Sequence, residues 1–308
     1  MKYYIAPMEG ITTVQYRTTY NKFYGGADKY FAPFISNSKL AAKEIYGLKP
    51  ENNPGIHLVP QILTNNSETF IKAAYELKKL GYEEINLNLG CPSGTVVSKG
   101  RGAGFLAYPD KLDDFLNTIY EMCDMQISIK TRIGMRSKEE WDHILEIYAK
   151  YPISELIIHP RLQKDGYGLN IYLDAYEKAK DRLNCPLCYN GDIFSFESHK
   201  EKTGKLKESR AVMLGRGIIA NPELLENIKK GKVVEKIEDI SRLSEFLEEL
   251  LFKYIDVMDG EKPVLFKMKD IWNFLGKSFE EKEAELKKIK KSKSIAEYKI
   301  AVNNLLKD

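Results

Sequence analysis

The chain has 308 residues, of which 43% are hydrophobic and 30% charged, and its net charge at pH 7 is +3. This is the composition of a globular protein with room for one large domain and a smaller one. No apolar run approaches the roughly 18 residues of a membrane-spanning helix. The N-terminal residues show no apolar core of a secretory signal. We therefore expect a cytoplasmic protein that does not bind a membrane.

The four cysteines do not indicate a disulfide framework or a metal centre. Cys185 and Cys188 form one CxxC pair, and no second pair of cysteines or histidines accompanies it. A zinc site needs four ligands, and residues three apart in a strand point to opposite faces. We expect no metal.

Short apolar runs alternate with helical patterns over the first 230 residues. The predicted strands cover 3–6, 29–32, 56–62, 84–88, 127–131, 156–159, 186–189 and 211–214. The predicted helices cover 14–23, 67–80, 111–123, 138–149, 171–182 and 222–229. Eight strands with helices between them predict a (β/α)8 TIM barrel. A dinucleotide-binding sheet is the alternative, but residues 6–10 are not the glycine-rich turn it requires.

The pattern changes after residue 232. Helical patterns at 240–258, 266–276 and 280–306 have no strand between them. We therefore expect a barrel domain at 1–232 and a helical domain at 233–308. Residues 261–308 hold 12 lysines against 8 acidic residues, including Lys287, Lys288, Lys290 and Lys291. This cluster is either a solvated helix face or a surface that contacts nucleic-acid phosphates.

The stretch from Glu84 to Gly104 carries the strongest indication of function. Apolar residues alternate with Asn86 and Asn88, as in a strand, and amides in a dry core require hydrogen-bond partners. Cys91 follows this strand and begins a loop that contains four glycines. A thiol at a turn can be a simple buried residue, but these neighbours favour a functional role.

Polar residues recur where the other predicted strands end, which is where TIM barrels carry their chemistry. These positions are Ala6-Pro7-Met8, Gln61, Asn88, Lys130, Arg132, His159, Arg161, Asn190-Gly191-Asp192 and Gly215-Arg216. The loops after strands seven and eight suit a phosphate, which Arg216 can bind through two hydrogen bonds. Lys130 and Gln61 can meet a planar polar ring. The pattern fits flavin mononucleotide (FMN), and it also permits a phosphorylated sugar.

Six motifs in order resemble the tRNA-dihydrouridine synthases. They are Ala6-Pro7-Met8-Glu9-Gly10, Asn86–Ser93 with Gly100–Gly104, Ile129–Gly134, Ile158–Arg161, Asn190–Ile193, and Met213–Gly217 with Asn221-Pro222. The resemblance spans nearly the whole barrel, and the stretch Asn88-Leu89-Gly90-Cys91-Pro92 is its most specific part.

The resemblance implies an enzyme that reduces uridine in tRNA to dihydrouridine, with FMN as cofactor and NADPH as reductant. Hydride goes to C6 of the uracil and Cys91 protonates C5. The cofactor residues that it implies are Ala6, Pro7, Met8, Gln61, Lys130, His159, Asn190, Gly191, Asp192, Gly215 and Arg216. The substrate residues are Asn88, Arg132 and Arg161, together with Lys267, Lys269 and the 287–291 lysines for tRNA docking. We expect a monomer.

Two alternative functions remain at this stage. One is an FMN barrel oxidoreductase that acts on a free small molecule such as a pyrimidine. The other is a non-catalytic RNA-binding protein built on a barrel. The basic helical region disfavours the first, and the presence of Cys91, Lys130, His159 and Arg216 together disfavours the second.

Overall fold

The computed structural model describes residues 1–168, 170–206, 209–234 and 236–307. Positions 235 and 308 of the predicted helical domain therefore lie outside the described residues. By contacts, the chain forms two compact units. The strand unit contains 1–7, 28–191 and 202–213, and the helical unit contains 8–27, 192–201 and 214–308. The domain boundary at residue 232 stays a prediction.

All nine strands are parallel and belong to one sheet. The strands are β1 (Lys2–Ile5), β2 (Lys29–Phe31), β3 (Leu58–Val59), β4 (Gln61–Ile62), β5 (Glu84–Leu89), β6 (Gln126–Thr131), β7 (Leu156–Ile158), β8 (Leu187–Asn190) and β9 (Ala211–Leu214). Their order in the sheet is β3-β2-β1-β9-β8-β7-β6-β5-β4. Each strand predicted from the sequence is present to within about two residues.

Pro60 divides one predicted strand into β3 and β4, because proline has no N–H to donate to a neighbouring strand. The first half pairs with β2 through Leu58, and the second half pairs with β5 through Gln61. The two ends of the strand order are therefore two halves of one run, and the sheet closes into a barrel of eight positions. The predicted TIM barrel is confirmed.

The helices are numbered in chain order. They are α1 (Val14–Phe23), α2 (Ala42–Leu48), α3 (Ser67–Lys79), α4 (Gly94–Val97), α5 (Pro109–Met122), α6 (Glu140–Tyr148), α7 (Leu173–Arg182), α8 (Phe196–Lys205), α9 (Arg216–Ala220), α10 (Leu224–Lys230), α11 (Ile240–Val257), α12 (Glu261–Leu275), α13 (Glu283–Lys291) and α14 (Ile295–Leu306). Short 3-10 turns cover 50–52, 102–107, 163–165 and 276–282. The six helices predicted before residue 232 are confirmed to within about two residues.

Three expectations about helices differ from the structure. Helices α2, α4, α8 and α9 were not predicted. Helix α12 begins at Glu261, five residues before the predicted start. The single helix predicted at 280–306 is divided into α13 and α14 by residues 292–294.

The amino-terminal end of the barrel is closed by a buried charged cluster. Tyr4 donates its hydroxyl to Glu155 at 2.8 Å, and Lys29 forms ion pairs with Glu84 at 2.7 Å and Glu155 at 3.5 Å. Burial raises the pKa of Glu155. These groups pair with one another at the strand starts, although Oε1 of Glu84 is buried without a hydrogen-bond partner among the described residues.

The helical unit has its own core. Phe246 of α11 packs edge-on against Tyr16 of α1 and against Tyr24, with ring centroids 5.8 Å and 5.5 Å apart. Trp272 of α12 donates its indole N–H to the hydroxyl of Tyr298 on α14 at 2.8 Å. Among the described residues, no helix is both long and apolar enough to cross a membrane.

Candidate active site

The side chain of Asn88 shapes the turn that presents Cys91. Its Oδ1 accepts from the backbone N–H of Gly90 at 3.0 Å and of Cys91 at 2.9 Å. An asparagine at the end of a strand often folds the following residues into such a turn. The position of the thiol is therefore set by a side chain of β5 rather than by the loop alone.

A chain of buried hydrogen bonds continues from Asn88 through the barrel interior. Asn88 donates to Oε1 of Gln61 at 2.8 Å, and Gln61 donates to Oδ1 of Asn86 at 2.8 Å. Asn86 donates to Oγ of Ser128 at 3.0 Å, and Ser128 donates to the Ile85 carbonyl at 3.2 Å. The prediction that the two inward amides of β5 need partners is confirmed.

Cys91 is partly exposed and lies against a close-packed glycine turn. Gly102 has φ +55°, and a Cβ on it would lie 2.9 Å from the Cys91 carbonyl oxygen. Ala103 donates its N–H to that same carbonyl at 3.0 Å. The glycine is thus required for the approach of residues 102–103 to Cys91, since any side chain there would push the turn away.

Lys130 lies on β6 directly across from Asn88 in the strand register. Burial, together with the nearby guanidinium of Arg132, lowers the pKa of Lys130 to about 8. The residue is only partly exposed. An ammonium in such surroundings gains most from a ligand that accepts its hydrogen bonds.

Arg132 is fully buried and holds together two loops of the strand unit. It donates to the carbonyls of Gly90 at 3.2 Å, Leu162 at 2.7 Å and Gly166 at 2.6 Å. Its guanidinium also lies 5.7 Å from the ring of Tyr167. In this structure the residue connects the Cys91 turn to residues 162–166. A substrate contact for Arg132 stays a prediction.

Arg161, next to His159, also donates to backbone carbonyls. It is buried and donates to the carbonyls of Asn170 at 3.0 Å and Gly168. Its Nη1 lies 3.3 Å from Nε2 of His159. Because a guanidinium can only donate, Nε2 of the histidine accepts and its hydrogen is on Nδ1. Arg161 therefore holds the ring of His159 and the backbone carbonyls of Gly168 and Asn170.

The end of β8 belongs to the same unit. Asn190 donates its side-chain N–H to the Met213 carbonyl of β9 at 2.9 Å. Gly191 has φ +156°, and a Cβ on it would lie 3.1 Å from the Tyr189 hydroxyl and 3.4 Å from His159. Glycine leaves that space and its own N–H open. Ala6, which follows β1, is buried, and Pro7 beside it is partly exposed.

The remaining predicted cofactor residues lie in the helical unit. Asp192 adopts a left-handed φ of 42° and forms an ion pair with Arg216 at 2.5 Å. Arg216, preceded by Gly215, is the first residue of α9 and lies 5.5 Å from the ring of Phe194. The backbone N–H of Met8 donates to Thr12 at 2.8 Å. The aspartate thus orients the arginine that was predicted to bind phosphate.

The predicted docking lysines also lie in this unit. Lys267 donates to the Gly10 carbonyl at 2.7 Å, and Lys269 donates to the Ser292 carbonyl, so both ammonium groups already bond backbone. Lys287 pairs with Glu283 at 2.8 Å, and Lys288 lies 3.9 Å from Glu285. Lys290 and Lys291 are in the last turn of the same helix, α13.

The sequence analysis did not assign a role to Ser128 or to Gln163. Ser128 completes the buried amide chain, and Gln163 donates to the Pro92 carbonyl at 3.2 Å. The role of Ser128 could have been predicted, because a serine and an asparagine that point inward from neighbouring strands can form a hydrogen bond. No local pattern marks the second, because the two residues are 71 positions apart.

The cysteines other than Cys91 show no site chemistry. Cys188 is buried in β8, where burial raises its pKa well above the ordinary value, and the pKa of Cys185 is raised to about 11. Within the described ranges, no group of three His, Cys, Asp or Glu side chains could hold a metal ion.

The strand unit therefore offers a positioned thiol, the ammonium of Lys130, the imidazole of His159 and side-chain amides at the carboxyl ends of β4 to β8. This is the end of the barrel at which enzymes of this fold carry their active sites. Likeness to known proteins identifies the family.

A sequence profile described as "Dihydrouridine synthase (Dus)" matches residues 4–307. A probable tRNA-dihydrouridine synthase of Staphylococcus aureus is 27% identical over 248 residues, covering 78% of this chain and 75% of that protein. tRNA-dihydrouridine synthase B of Pasteurella multocida is 29% identical over 225 residues, covering 72% and 67%. The chain belongs to the dihydrouridine synthase family.

Solved structures agree on the fold. Morphinone reductase aligns with a TM-score of 0.54 at 12% identity, covering 75% of this chain and 86% of that one. An old yellow enzyme homologue from Zymomonas mobilis aligns with a TM-score of 0.53 at 11% identity, covering 76% and 90%. Likeness at this level of identity shows the barrel fold alone.

Proposed function

We propose that this chain reduces specific uridines in tRNA to 5,6-dihydrouridine, with FMN as cofactor and NADPH as reductant. The observation that carries the proposal is the placement of Cys91 in an asparagine-shaped turn, next to Lys130 and within a chain whose family match spans residues 4–307. A tRNA substrate also implies a cytoplasmic protein, and we propose that it acts as a monomer.

The residues of the strand unit fit a flavin ring. The fixed orientation of the amide chain leaves Gln61 with a second N–H hydrogen, which no described residue accepts. Lys130 and His159 add an ammonium and an imidazole N–H. These donors match the carbonyl oxygens and ring nitrogens of an isoalloxazine, so Gln61, Lys130 and His159 would hold it. FMN supplies hydride to C6 of the uracil when it is bound.

The phosphate of FMN requires donors as well. In the strand unit, Asn190 and the side-chain-free Gly191 supply them. Gly215 and Arg216 of the helical unit stay predicted phosphate ligands, and the Asp192 carboxylate holds the guanidinium of Arg216 in one orientation. Glycine N–H groups and a guanidinium are the usual ligands for phosphate in this fold.

The chemical role of Cys91 is to hold a proton on Sγ and to deliver it to C5 of the uracil. A thiol with an ordinary pKa of about 8.5 is mostly protonated near neutrality, so it can act as an acid. Asn88 holds the turn that aims the thiol. The target base must leave its stack to reach this depth, which costs a few kcal/mol.

The proposed tRNA surface consists of Lys287, Lys288, Lys290 and Lys291, with Lys267 and Lys269 as further candidates. The first two pair with acids one turn away, and exposed pairs of this kind contribute little to stability. Phosphates can therefore replace the glutamates without a large energetic cost. Arg132 and Arg161 are proposed to bind the substrate, and each also anchors backbone carbonyls beside the site.

The test compares substrates. Purified protein with FMN and NADPH is given tRNA that lacks dihydrouridine, and in parallel free uracil and orotate. We expect dihydrouridine in the tRNA alone. Turnover of a free pyrimidine with none on tRNA would instead assign a small-molecule oxidoreductase. Binding of tRNA without any reduction would assign a non-catalytic RNA-binding protein.

A further inference from the structure

The hydrogen bonds between Ser128 and Cys91 all run in one direction. Serine donates to the Ile85 carbonyl and accepts from Asn86, which in turn accepts from Gln61. Gln61 accepts from Asn88. No member of this chain can turn its amide without placing two acceptors or two donors against each other.

The chain is fixed at both ends. At one end, two backbone N–H groups, of Gly90 and Cys91, point at the side chain of Asn88, so its oxygen must face them. At the other end, the Ile85 carbonyl can only accept, so the Ser128 hydroxyl must donate to it. The backbone groups at the two ends therefore determine the orientation of every side-chain amide between them.

The two residues farthest from Cys91 are the most deeply buried members of the chain. Asn86 and Ser128 have no exposed surface, and Gln61 has 1%. Asn86 and Ser128 face each other in the register of β5 and β6, two pairs below Asn88 and Lys130. They thus lie beneath the residues that would touch a ligand, and they influence it only through Gln61 and Asn88.

We propose that Asn86 and Ser128 are positioning residues, which set the amide orientation of Gln61 and Asn88 and thereby the donor pattern of the site and the turn at Cys91. In this orientation Gln61 presents an N–H group to the site and not its carbonyl oxygen. The site therefore selects a ring whose facing edge accepts hydrogen bonds. This inference rests on the proposed function only where it concerns the flavin, because its effect on Cys91 needs no cofactor.

The experiment measures alkylation of Cys91 by iodoacetamide in FMN-free protein, across pH, by peptide mass spectrometry. Cys123, which is also partly exposed, is the reference thiol in the same sample. Asn86→Leu removes the acceptor for Gln61 at similar volume. We expect the Cys91 rate to rise about tenfold relative to Cys123, the effect of losing one buried hydrogen bond.

Asn86→Asp is the rescue variant. A protonated carboxyl group, which burial favours, still accepts from Gln61 through one oxygen and donates its O–H to Oγ of Ser128, so the orientation is preserved. We expect an alkylation rate and an FMN dissociation constant within about threefold of the parent protein. An equal rise in Asn86→Leu and Asn86→Asp, or no rise in Asn86→Leu, would overturn the proposal.

Gln61→Glu supplies a second arm if Asn86→Leu does not fold. An ionised carboxylate at this position still accepts from Asn88, but its other oxygen lies against Oδ1 of Asn86, which cannot turn while Ser128 donates to the Ile85 carbonyl. We expect the Cys91 alkylation rate of this variant to rise about tenfold relative to Cys123, and an unchanged rate would contradict a directional chain. Failure of the proposed function would appear separately, as absent dihydrouridine with the parent protein.

Discussion

Gln163 donates its side-chain N–H to the Pro92 carbonyl at 3.2 Å, joining the loop after β7 to the residue that follows Cys91. Arg132 strengthens the same connection, since it bonds Gly90 on one side and Gly166 on the other. The two loops beside the Cys91 thiol are thus joined by hydrogen bonds to backbone carbonyls and not by side-chain packing alone.

We expect Arg132→Lys to loosen this connection. A lysine can retain the charge, but it cannot reach three carbonyls in the planar geometry of a guanidinium. The free energy of unfolding should fall by about 2–3 kcal/mol, because buried carbonyls lose their donors. Limited proteolysis within 162–168 should become faster.

Arg182→Lys is the matched control, because that arginine pairs with Asp142 at 2.9 Å on the surface and is 41% exposed. It should change neither quantity measurably. Unchanged proteolysis in Arg132→Lys would show that the loop does not depend on the guanidinium.

The second prediction concerns the thiol. Cys91→Ala should retain FMN, since the residues proposed to hold the ring and phosphate are unchanged, but it should lose uridine reduction by about 10²–10⁴-fold, as is typical for loss of a general acid. FMN content is read from the visible spectrum and activity from dihydrouridine in tRNA. Cys123→Ala is the control and should keep both. A colourless Cys91→Ala protein, or one with undiminished activity, would argue against Cys91 as the acid.

The third prediction is a pH dependence of stability in the FMN-free protein. The folded pKa of Lys130 is about 8, below the ordinary 10.5, so folding disfavours its charged form. This cost is fully present below pH 8 and disappears as the pH rises towards 10.5. Lys130→Met should therefore raise the free energy of unfolding at pH 7, by an amount on the order of 3 kcal/mol.

The stabilisation should shrink between pH 8 and 10.5 in urea titrations. Lys43→Met, on the exposed face of α2, is the control and should show no such trend. A gain in stability that is the same at every pH would assign the effect to packing rather than to the buried charge.

The fourth prediction addresses tRNA docking. Reversing Lys287, Lys288, Lys290 and Lys291 to glutamate should weaken tRNA binding and reduce the slope of log affinity against log salt by up to about 3, given roughly 0.7–0.9 per lost phosphate contact. Filter binding at several salt concentrations measures both. Reversal of Lys72, Lys78 and Lys79 on α3 keeps the charge change comparable and should have little effect. A tRNA affinity of the α13 variant equal to that of the parent protein would show that these lysines form a solvated helix face and do not contact tRNA.

The sequence predicted the barrel well because parallel strands need buried residues on both faces, and such runs are visible directly. It missed α2 and α8 because each buries a single side chain, Leu48 and His199 respectively, so neither shows an apolar stripe. The break between α13 and α14 could have been predicted from the sequence. Ser294 caps the second helix, and Glu297 reaches back to the Lys293 N–H at 2.7 Å, as in a capping box.

For the site, the positions at the strand ends followed from topology, whereas the partners of the side chains did not. The substrate roles of Arg132 and Arg161 stay predictions, and in the structure both side chains bond backbone carbonyls, those of Leu162 and Gly166 for Arg132 and those of Gly168 and Asn170 for Arg161. No periodicity in the sequence indicates these partners. The paired amides of β5 were visible in the sequence, and only the three-dimensional register identified Gln61 and Ser128 as their partners.

The most direct measurement of the central claim follows the colour of the FMN-loaded protein without oxygen. NADPH should bleach the visible flavin band, and tRNA lacking dihydrouridine should then restore it, with one dihydrouridine formed for each flavin reoxidised. Free uridine should leave the protein bleached. Protein that takes up no FMN, or a bleached protein that tRNA does not reoxidise, would contradict the assignment.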